Sequence, residues 1–319
     1  MTERRAVIAF DTSNYTTSCA IVTLDGECVA NIKRPLTVKE GERGLRQSDA
    51  LFLHTVNFPY VSEKLREYIR HYSIVAVGVS DKPRNAEGSY MPCFLSGVAV
   101  AETLSSVLGV PLFRFSHQCG HISAALYSSG KNELLNSDFA AFHISGGTTE
   151  FVKVIPDGDG FVTELIGGTA DVNAGQIIDR VGVHMGLRFP AGPEMEKLAL
   201  LNTRKIPKRK VSADGYKINL SGLENLAVKL YKESGDKSLT AAFVLDYVGR
   251  AIAGICREYE KEHARVPFVF AGGVMCNSII KDMLRGEFEA YFAEPSMSAD
   301  NAVGTACLTL RAYLSREKK

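Results

Sequence analysis

A pattern of an apolar strand, a turn of small or polar residues and a second apolar strand occurs twice in this chain, once in each half. Residues 6–10 run into a polar turn that begins at Asp11, and the apolar run 19–24 follows. Residues 139–144 run into Ser145-Gly-Gly-Thr-Thr149, which is again followed by an apolar run. Helical segments alternate with further strands after each copy. The pattern predicts an α/β protein of two lobes with a weak internal duplication.

The bulk composition narrows the classes of protein to which this chain can belong. Its 319 residues, 45% of them hydrophobic, suffice for two lobes that each bury a core. A net charge of +1 provides no global positive field, so any contact with nucleic acid must be local. No apolar run approaches the roughly 18 residues that span a bilayer, which predicts a cytoplasmic protein without a membrane contact. Seven cysteines without a C-x-x-C pair predict reduced thiols.

Five segments in a fixed order predict a nucleotide-binding fold. Backbone amides of the turns after Asp11 and at 145–148 can face phosphate oxygens, because small residues permit close approach. Gly272-Gly273 follows an apolar strand and suits the approach of an adenosine. Helices that begin near Gly175 and Ala299 would connect the lobes. This order resembles the actin-like ATPase (ASKHA) fold of sugar kinases and heat-shock ATPases, with nucleotide and metal in the cleft between lobes.

That fold assigns residues 1–115 and about 300–319 to the first lobe and residues 116–299 to the second, each with a mixed sheet and flanking helices. Every segment also has a plainer interpretation. The glycine turns can be ordinary hairpin or strand-to-helix turns. Asp11 can satisfy turn amides, and Asp179 can stabilise the dipole of its helix.

The segment His117-Gln-Cys-Gly-His121 predicts a metal site. Two imidazoles four residues apart on a helix project from one face and can share a cation. Asp300 opens a second candidate helix far downstream and offers a carboxylate. Cys119 lies between the two histidines, where a small packing residue is the commoner role. A metal beside a nucleotide is therefore the first hypothesis.

Several motifs in order carry a resemblance to a known family. They are Asp11-Thr-Ser, His117-Gln-Cys-Gly-His121, Ser145-Gly-Gly-Thr-Thr149, Gly175-Gln-Ile-Ile-Asp179, Pro190-Ala-Gly-Pro193, Leu220-Ser-Gly-Leu223, Gly272-Gly-Val-Met-Cys-Asn277 and Asp300-Asn301. With them the chain resembles the TsaD family, the tRNA threonylcarbamoyladenosine transferases once described as O-sialoglycoprotein endopeptidases. The resemblance spans residues 6 to about 305.

The resemblance implies a set of ligands and the residues that hold them. His117, His121 and Asp300 would bind one divalent metal, iron or zinc. A second set of residues would bind ATP or threonylcarbamoyl-adenylate, and it includes the turn glycines noted above. Its members are Ile144, Ser145, Gly146, Gly147, Thr148, Asp179, Gly192, Glu196, Gly272, Gly273 and Asn277. Glu196 matches the archaeal and eukaryotic branch of the family. His143 stands where that branch has a metal-binding tyrosine, so it is either a third imidazole ligand or a strand-end residue that packs inward.

The implied reaction is metal-dependent transfer of a threonylcarbamoyl group from threonylcarbamoyl-adenylate to the exocyclic amine of adenosine in tRNA. That amine is a poor nucleophile, so the donor must arrive activated, and the metal would stabilise negative charge as AMP departs. Asp11 is the candidate that accepts the amine proton, on its position. The implied partners are tRNA, an adenylate-forming synthase and a non-catalytic paralogue that forms a heterodimer with the enzyme.

Two departures from the family pattern leave alternatives open. Lys82–Pro92 replaces a Gly-Pro-Gly turn, and Gly44–Asp49 replaces a Glu-Leu-Ala-Ser-Arg signature. A divergent paralogue that carbamoylates another amine acceptor is one alternative, and a non-catalytic nucleotide-binding scaffold is another. Peptidase activity is disfavoured because Gln118 stands where a gluzincin-type site needs a glutamate base. Phosphoryl transfer, as in sugar kinases of this fold, is disfavoured because the metal site of two histidines would have no role in it.

One dense basic cluster lies outside these motifs. Its members are Arg204, Lys205, Lys208, Arg209 and Lys210. They could meet tRNA phosphates or form an ordinary solvated surface loop. The neutral charge of the whole chain favours the solvated loop.

Overall fold

The computed structural model describes residues 4–13, 15–37, 45–158, 160–263 and 265–318. Its first half opens with three antiparallel strands and then alternates helices with strands. The elements are β1 (Arg4–Ser13), β2 (Thr16–Thr23), β3 (Cys28–Pro35), α1 (Gln47–Ile69), β4 (Tyr72–Lys82), α2 (Phe94–Leu108), β5 (Leu112–Ser116) and α3 (His117–Ser129). Gly44, the first residue of the segment that departs from the family signature, lies outside the described residues.

The second half begins in the same way and carries more helices. Its elements are β6 (Phe139–Ile144), β7 (Thr149–Asp157), β8 (Gly160–Thr169), α4 (Ala174–His184), α5 (Gly192–Leu200), β9 (Ser212–Asp214), β10 (Lys217–Asn219), α6 (Ser221–Ser234), α7 (Lys237–Glu262), β11 (Phe268–Ala271), α8 (Ser278–Arg285), β12 (Ala290–Phe292), α9 (Pro295–Ser298) and α10 (Val303–Glu317). Short 3-10 turns at Asn132–Asn136 and Gly273–Cys276 complete the order.

Two mixed sheets share one strand order. The first sheet runs β3-β2-β1-β4-β5, and the second contains β8-β7-β6-β11-β12 with the hairpin β9–β10 added beyond β8. In the first sheet, β1 and β3 pair antiparallel with β2, whereas β4 pairs parallel with β1 and β5. In the second sheet, β6 pairs antiparallel with β7, whereas β11 pairs parallel with β6 and β12. The repeated order confirms the internal duplication predicted from the two strand–turn–strand patterns.

The central strand of the first sheet is buried on both faces. Ile8 and Phe10 belong to one apolar cluster with Val61 of α1 and Ala101 of α2. Val7 and its alternate neighbours belong to a second cluster that includes residues of α10. Successive side chains of a strand point to opposite faces, so helices cover this sheet on both sides.

A row of phenylalanines runs across the second sheet. Phe151, Phe142, Phe270 and Phe292 lie opposite one another on β7, β6, β11 and β12. Neighbouring ring centroids are 4.4, 5.1 and 4.8 Å apart, each pair nearly parallel. Such cross-strand aromatic pairs stabilise one register of the strands, because a slip of one residue would move every ring to the other face.

The chain divides into two compact units. The first comprises residues 1–137, 155–163 and 296–319, and the second comprises residues 138–154 and 164–295. Helix α3 therefore lies in the first unit, whereas the predicted lobe boundary at residue 115 would place it in the second lobe. The physical reason is that α3 packs against α10, the helix at the end of the chain.

Helix α7 is long and apolar enough to cross a membrane by length and composition alone. In the fold, 89% of its most apolar window is buried inside the protein. Its apolar residues form the centre of the largest core cluster. The Asp236 side chain caps the start of the helix by accepting a hydrogen bond from the Leu239 amide at 3.0 Å.

Candidate metal centre and nucleotide-binding region

The start of α3 aims two imidazoles at one point. The Ser116 hydroxyl caps the helix by accepting from the Cys119 amide at 3.2 Å. His117 and His121 then lie one turn apart on the same face, as their spacing predicts. Their Nε2 atoms are 3.0 Å apart, and the rings meet edge to face. Two nitrogens with lone pairs in the ring plane therefore converge.

Asp300 brings a carboxylate to the same point. Its Oδ1 lies 3.4 Å from His121 Nε2 and 3.7 Å from His117 Nε2. The residue lies in the loop between α9 and α10, so the expectation that it opens a helix is wrong, because α10 begins only at Val303. The neighbouring Asn301 shapes this loop by donating to the carbonyls of Met297 and Ala299 and accepting from the Val303 amide.

A glycine sets the distance between α10 and α3. A Cβ on Gly304 would lie 1.8 Å from the Gly120 carbonyl oxygen, so only glycine fits there. Lys33 of β3 also donates to the Ser296 carbonyl at 2.8 Å and tethers the segment before Asp300. Neither contact was predicted from the sequence, since nothing local to either residue signals a partner so far along the chain.

The three ligand atoms fit a single divalent cation. His117, His121 and Asp300 form the one cluster of metal-binding side chains found among the described residues, with ligand atoms within 4.8 Å of one another. A point about 2.0 Å from each atom satisfies their separations of 3.0, 3.4 and 3.7 Å, and zinc ligands lie about 2.0–2.2 Å from the metal. Two imidazoles and a carboxylate suit iron or zinc. The donors present therefore match the expected metal.

Asp11 orients the first histidine. Its Oδ2 accepts a hydrogen bond from His117 Nδ1 at 2.8 Å, so His117 turns Nε2 toward His121 and Asp300. Burial alone would lower the pKa of His117, but the negative charges of Asp11 and then of Asp300 outweigh it and raise that pKa to about 9. Burial works to raise the pKa of Asp11, yet His117 and the Ser80 hydroxyl hold it below its usual value. A metal on Nε2 would displace the imidazole proton.

Asp11 itself is fully enclosed. The residue is 0% exposed, and its Oδ1 accepts a hydrogen bond from the Ser13 amide at 3.0 Å. Its predicted role as the base for an incoming amine stays a prediction. The geometry favours the role of holding His117, because both carboxylate oxygens already have donors.

The predicted phosphate turn in the second unit is built from backbone. The Ser145 amide donates to the Thr148 carbonyl at 2.8 Å, and the Gly147 amide donates to the Ser145 hydroxyl at 3.3 Å. A Cβ on Gly175 would lie 2.5 Å from the Ser145 carbonyl, so the first turn of α4 lies directly against this turn. Gly272 has φ +96° and approaches Ile144 as closely. Ile144–Thr148, Gly175 and Gly272 are therefore brought together.

The remaining predicted nucleotide-binding residues lie in the same unit, where their side chains accept hydrogen bonds from backbone amides. Asp179 accepts a hydrogen bond from the Ala191 amide at 2.7 Å, beside Gly192. Glu196 accepts from the Ser278 amide at 2.8 Å, and Asn277 caps α8 through the Ile280 amide at 3.1 Å. Burial raises the pKa of Asp179 despite the backbone donors. Gly273 begins the turn between these groups. Their side chains hold the framework, and nucleotide contact stays a prediction.

His143 lies on β6 in the second unit and is buried. It is not part of the three-residue cluster formed by His117, His121 and Asp300 in the described ranges. Its strand position opposite Glu150 and Ala271 follows from the sheet register. A ligand role for His143 stays a prediction.

Sequence relatives agree with the motifs. A family model described as "TsaD: tRNA N6-adenosine threonylcarbamoyltransferase" matches residues 53–307. A protein of that name from Carboxydothermus hydrogenoformans is 30% identical over 270 residues, which cover 81% of this chain and 77% of the relative. One from Streptococcus pneumoniae is 28% identical over 295 residues, which cover 89% and 84%.

Solved structures show the fold. HypF in a phosphate- and nucleotide-bound form matches with a TM-score of 0.63 at 13% identity, over 100% of this chain and 47% of that chain. This chain thus spans about half the length of that protein. Component A of the (R)-2-hydroxyglutaryl-CoA dehydratase from Acidaminococcus fermentans matches with a TM-score of 0.56 at 14% identity, over 99% and 100%. These likenesses confirm the predicted actin-like ATPase fold with its two mixed sheets.

Proposed function

The chain belongs to the TsaD family of tRNA N6-adenosine threonylcarbamoyltransferases, and from that membership we propose that it transfers a threonylcarbamoyl group from an adenylate donor to adenosine in tRNA. The observation that carries the proposal is the convergence of His117 Nε2, His121 Nε2 and Asp300 Oδ1 on one point. Family members are transferases. For this chain, the proposal adds the identity of the donor, of the metal and of the acceptor. It also adds a cytoplasmic location.

His117, His121 and Asp300 would hold one divalent metal, iron or zinc. When bound, that cation would supply positive charge that stabilises the negative charge of the departing AMP. Asp300 is 24% exposed in its side chain, so the ligand set can be reached from solvent, whereas His121 is 5% exposed. The site therefore combines a buried imidazole with an accessible carboxylate.

Asp11 keeps the donor set in place. Its hydrogen bond to His117 Nδ1 fixes the tautomer in which Nε2 carries a lone pair, and its charge makes that nitrogen a stronger ligand. The backbone of Ser145–Thr148 and the start of α4 are proposed to hold ATP or threonylcarbamoyl-adenylate. Amides at a helix start favour bound anions.

The test is a reconstituted reaction. Purified chain is incubated with L-threonine, bicarbonate, ATP, an adenylate-forming synthase and unmodified tRNA, and the nucleosides are analysed by mass spectrometry. The proposal expects threonylcarbamoyladenosine with the unaltered chain and none above background with His121→Ala. The His71→Ala variant, which removes an exposed histidine, serves as the matched control. Absence of the modified nucleoside at stoichiometric enzyme contradicts the tRNA acceptor.

A second candidate is a carbamoyltransferase with a different amine acceptor. The segment Lys82–Pro92, which departs from the family turn, is attached to the metal helix because the Gln118 amide donates to the Pro83 carbonyl at 3.0 Å. The Arg84 amide donates to the Ser89 hydroxyl within the same segment. A changed loop beside His117 supports a changed acceptor.

The same reaction separates the two candidates. Consumption of the adenylate donor with a compound bearing a free amine, but not with tRNA, favours the second. Failure of donor consumption with every acceptor, while ATP still binds, would favour a nucleotide-binding scaffold without turnover.

A further inference from the structure

The basic segment, residues 204–210, carries five cations that the metal and nucleotide sites do not use. It connects α5 to β9 and contains neither helix nor strand. Arg204, Lys205, Lys208, Arg209 and Lys210 are all exposed. The backbone of an ordinary solvated loop would make few contacts with the rest of the protein. The contacts of this segment therefore distinguish an ordered surface from such a loop.

Helix α7 holds the backbone of the basic segment. Arg250 Nη1 donates to the Arg209 carbonyl at 2.8 Å, and the Tyr247 hydroxyl donates to the Lys210 carbonyl at 3.3 Å. Lys208 Nζ donates to Asp246 Oδ1 at 2.8 Å. Three neighbouring residues are thereby fixed to one buried helix.

Apolar residues anchor both ends of the same stretch. Ile206 and Val211 are partly buried and pack against the core of the second unit. With these side chains inward, the cations between them are directed to the surface. The fold already orders the backbone of this segment. Binding of a ligand therefore does not have to offset the entropic cost of ordering it.

The charges of the segment are not balanced. Arg204 pairs with Asp236 at 3.2 Å, and Lys208 pairs with Asp246. Asp246 is also shared with Arg250, whose Nε lies 2.8 Å from its second oxygen. Within the described ranges, Lys205, Arg209 and Lys210 form no ion pair. Two carboxylates, Asp236 and Asp246, thus pair with three of these six cations.

We propose that the basic segment binds the phosphodiester backbone of the tRNA acceptor. The inference rests on the proposed function for the identity of the polyanion. The net charge of +1 on the whole chain provides no general attraction to RNA, so a local surplus of cations is needed. Lysine and arginine that lack acidic partners suit phosphate contacts that position an RNA without reading its sequence.

The experiment measures binding without turnover. Fluorescence anisotropy of labelled unmodified tRNA with the purified full chain is recorded over a series of salt concentrations. The triple variant Lys205→Ser, Arg209→Ser, Lys210→Ser is expected to bind more weakly, with a salt slope reduced by about two to three, since each lost phosphate contact removes about 0.7 to 0.9. No donor or metal is added, so a failure of the transfer reaction leaves this result unaffected.

Matched controls separate local from general charge. The variant Arg4→Ser, Arg66→Ser, Arg70→Ser removes three exposed cations from the first unit and should keep the original slope. Tyr247→Phe keeps every charge, removes the hydrogen bond to Lys210, and should weaken binding by less than the triple variant. Equal slopes for both triple variants, no tRNA binding at low salt, or binding of polyglutamate but not tRNA would each overturn the proposal.

Discussion

The candidate metal centre in the first unit and the predicted nucleotide-binding region in the second unit are built by opposite means. In the metal centre, side chains from α3 and from the loop before α10 supply every ligand atom, and Asp11 supports one of them. In the second region, side chains such as Asp179, Glu196 and Asn277 are bonded to backbone amides and hold the turns in place. In the proposed function, backbone amides rather than these side chains would contact the phosphate.

Each region should therefore tolerate a different kind of change. A metal site formed by converging side chains binds its metal more weakly when one of those side chains is removed. A site made of backbone depends on close packing, so an added methyl group can cost more than a removed hydroxyl. Loss of a side chain and addition of bulk should therefore affect the two regions differently.

Removal of a ligand should have the largest effect. His121→Ala deletes one of three donors and should lower metal affinity by more than the about 10- to 100-fold typical of losing a supporting residue. Metal content by mass spectrometry and titration against a chelator measure this. His71→Ala should retain the metal. Full occupancy in His121→Ala would show that the cation binds elsewhere.

Added bulk between two helices should come next. Gly304→Ala places a Cβ 1.8 Å from the Gly120 carbonyl and should cost about 1–3 kcal/mol of stability while displacing Asp300. Urea unfolding and metal titration measure both effects. Gly254→Ala, on α7 with nothing within 4 Å of the added Cβ, should be neutral or slightly stabilising. Equal stability of the two variants would contradict the close contact of α3 with α10.

Loss of the supporting carboxylate should be milder than loss of a ligand. Asp11→Asn removes the charge behind His117 and should lower metal affinity by about 10- to 100-fold. The chelator titration used for His121→Ala measures it, with the exposed Asp25→Asn as control. An unchanged affinity would leave Asp11 without an orienting role and return it to consideration as a base.

Loss of a hydroxyl in the phosphate turn should have the smallest effect. Ser145→Ala removes one acceptor for the Gly147 amide, worth about 0.5–1.5 kcal/mol, so affinity for ATP should fall by about 10-fold or less. Calorimetric titration with ATP measures it. Gly175→Ala, which crowds the same turn, should weaken ATP binding more. The reverse order would make this region a site of side chains like the metal centre.

Local patterns predicted much of this molecule. The strands around residues 6–10, 19–24 and 139–144 follow from continuous apolar runs, and the histidine pair follows from helical spacing. Two strand–turn–strand patterns also predict a weak internal duplication, although not the order of all five strands that the two sheets share. Each of these signals lies within a short window, where periodicity and turn chemistry act directly.

Apart from the approach of Asp300 to His117 and His121, which the family resemblance implied, contacts between distant segments could not be predicted. The bond from Asp11 to His117 joins residues 106 positions apart, and the Lys33 tether to Ser296 joins residues 263 apart. The assignment of α3 to the first unit depends on packing against α10, which no local pattern encodes. Asp300 was found as a carboxylate, but its place in a loop depends on Asn301 and on the start of α10 at Val303.

In the proposed function, one divalent cation is held by His117, His121 and Asp300. Anomalous X-ray diffraction from crystals of the metal-loaded chain, collected at the absorption edge of iron or of zinc, tests it most directly. We expect a single strong peak about 2.0–2.2 Å from His117 Nε2, His121 Nε2 and an oxygen of Asp300. A peak bound by other residues, or none at this cluster in crystals with stoichiometric metal, would contradict it.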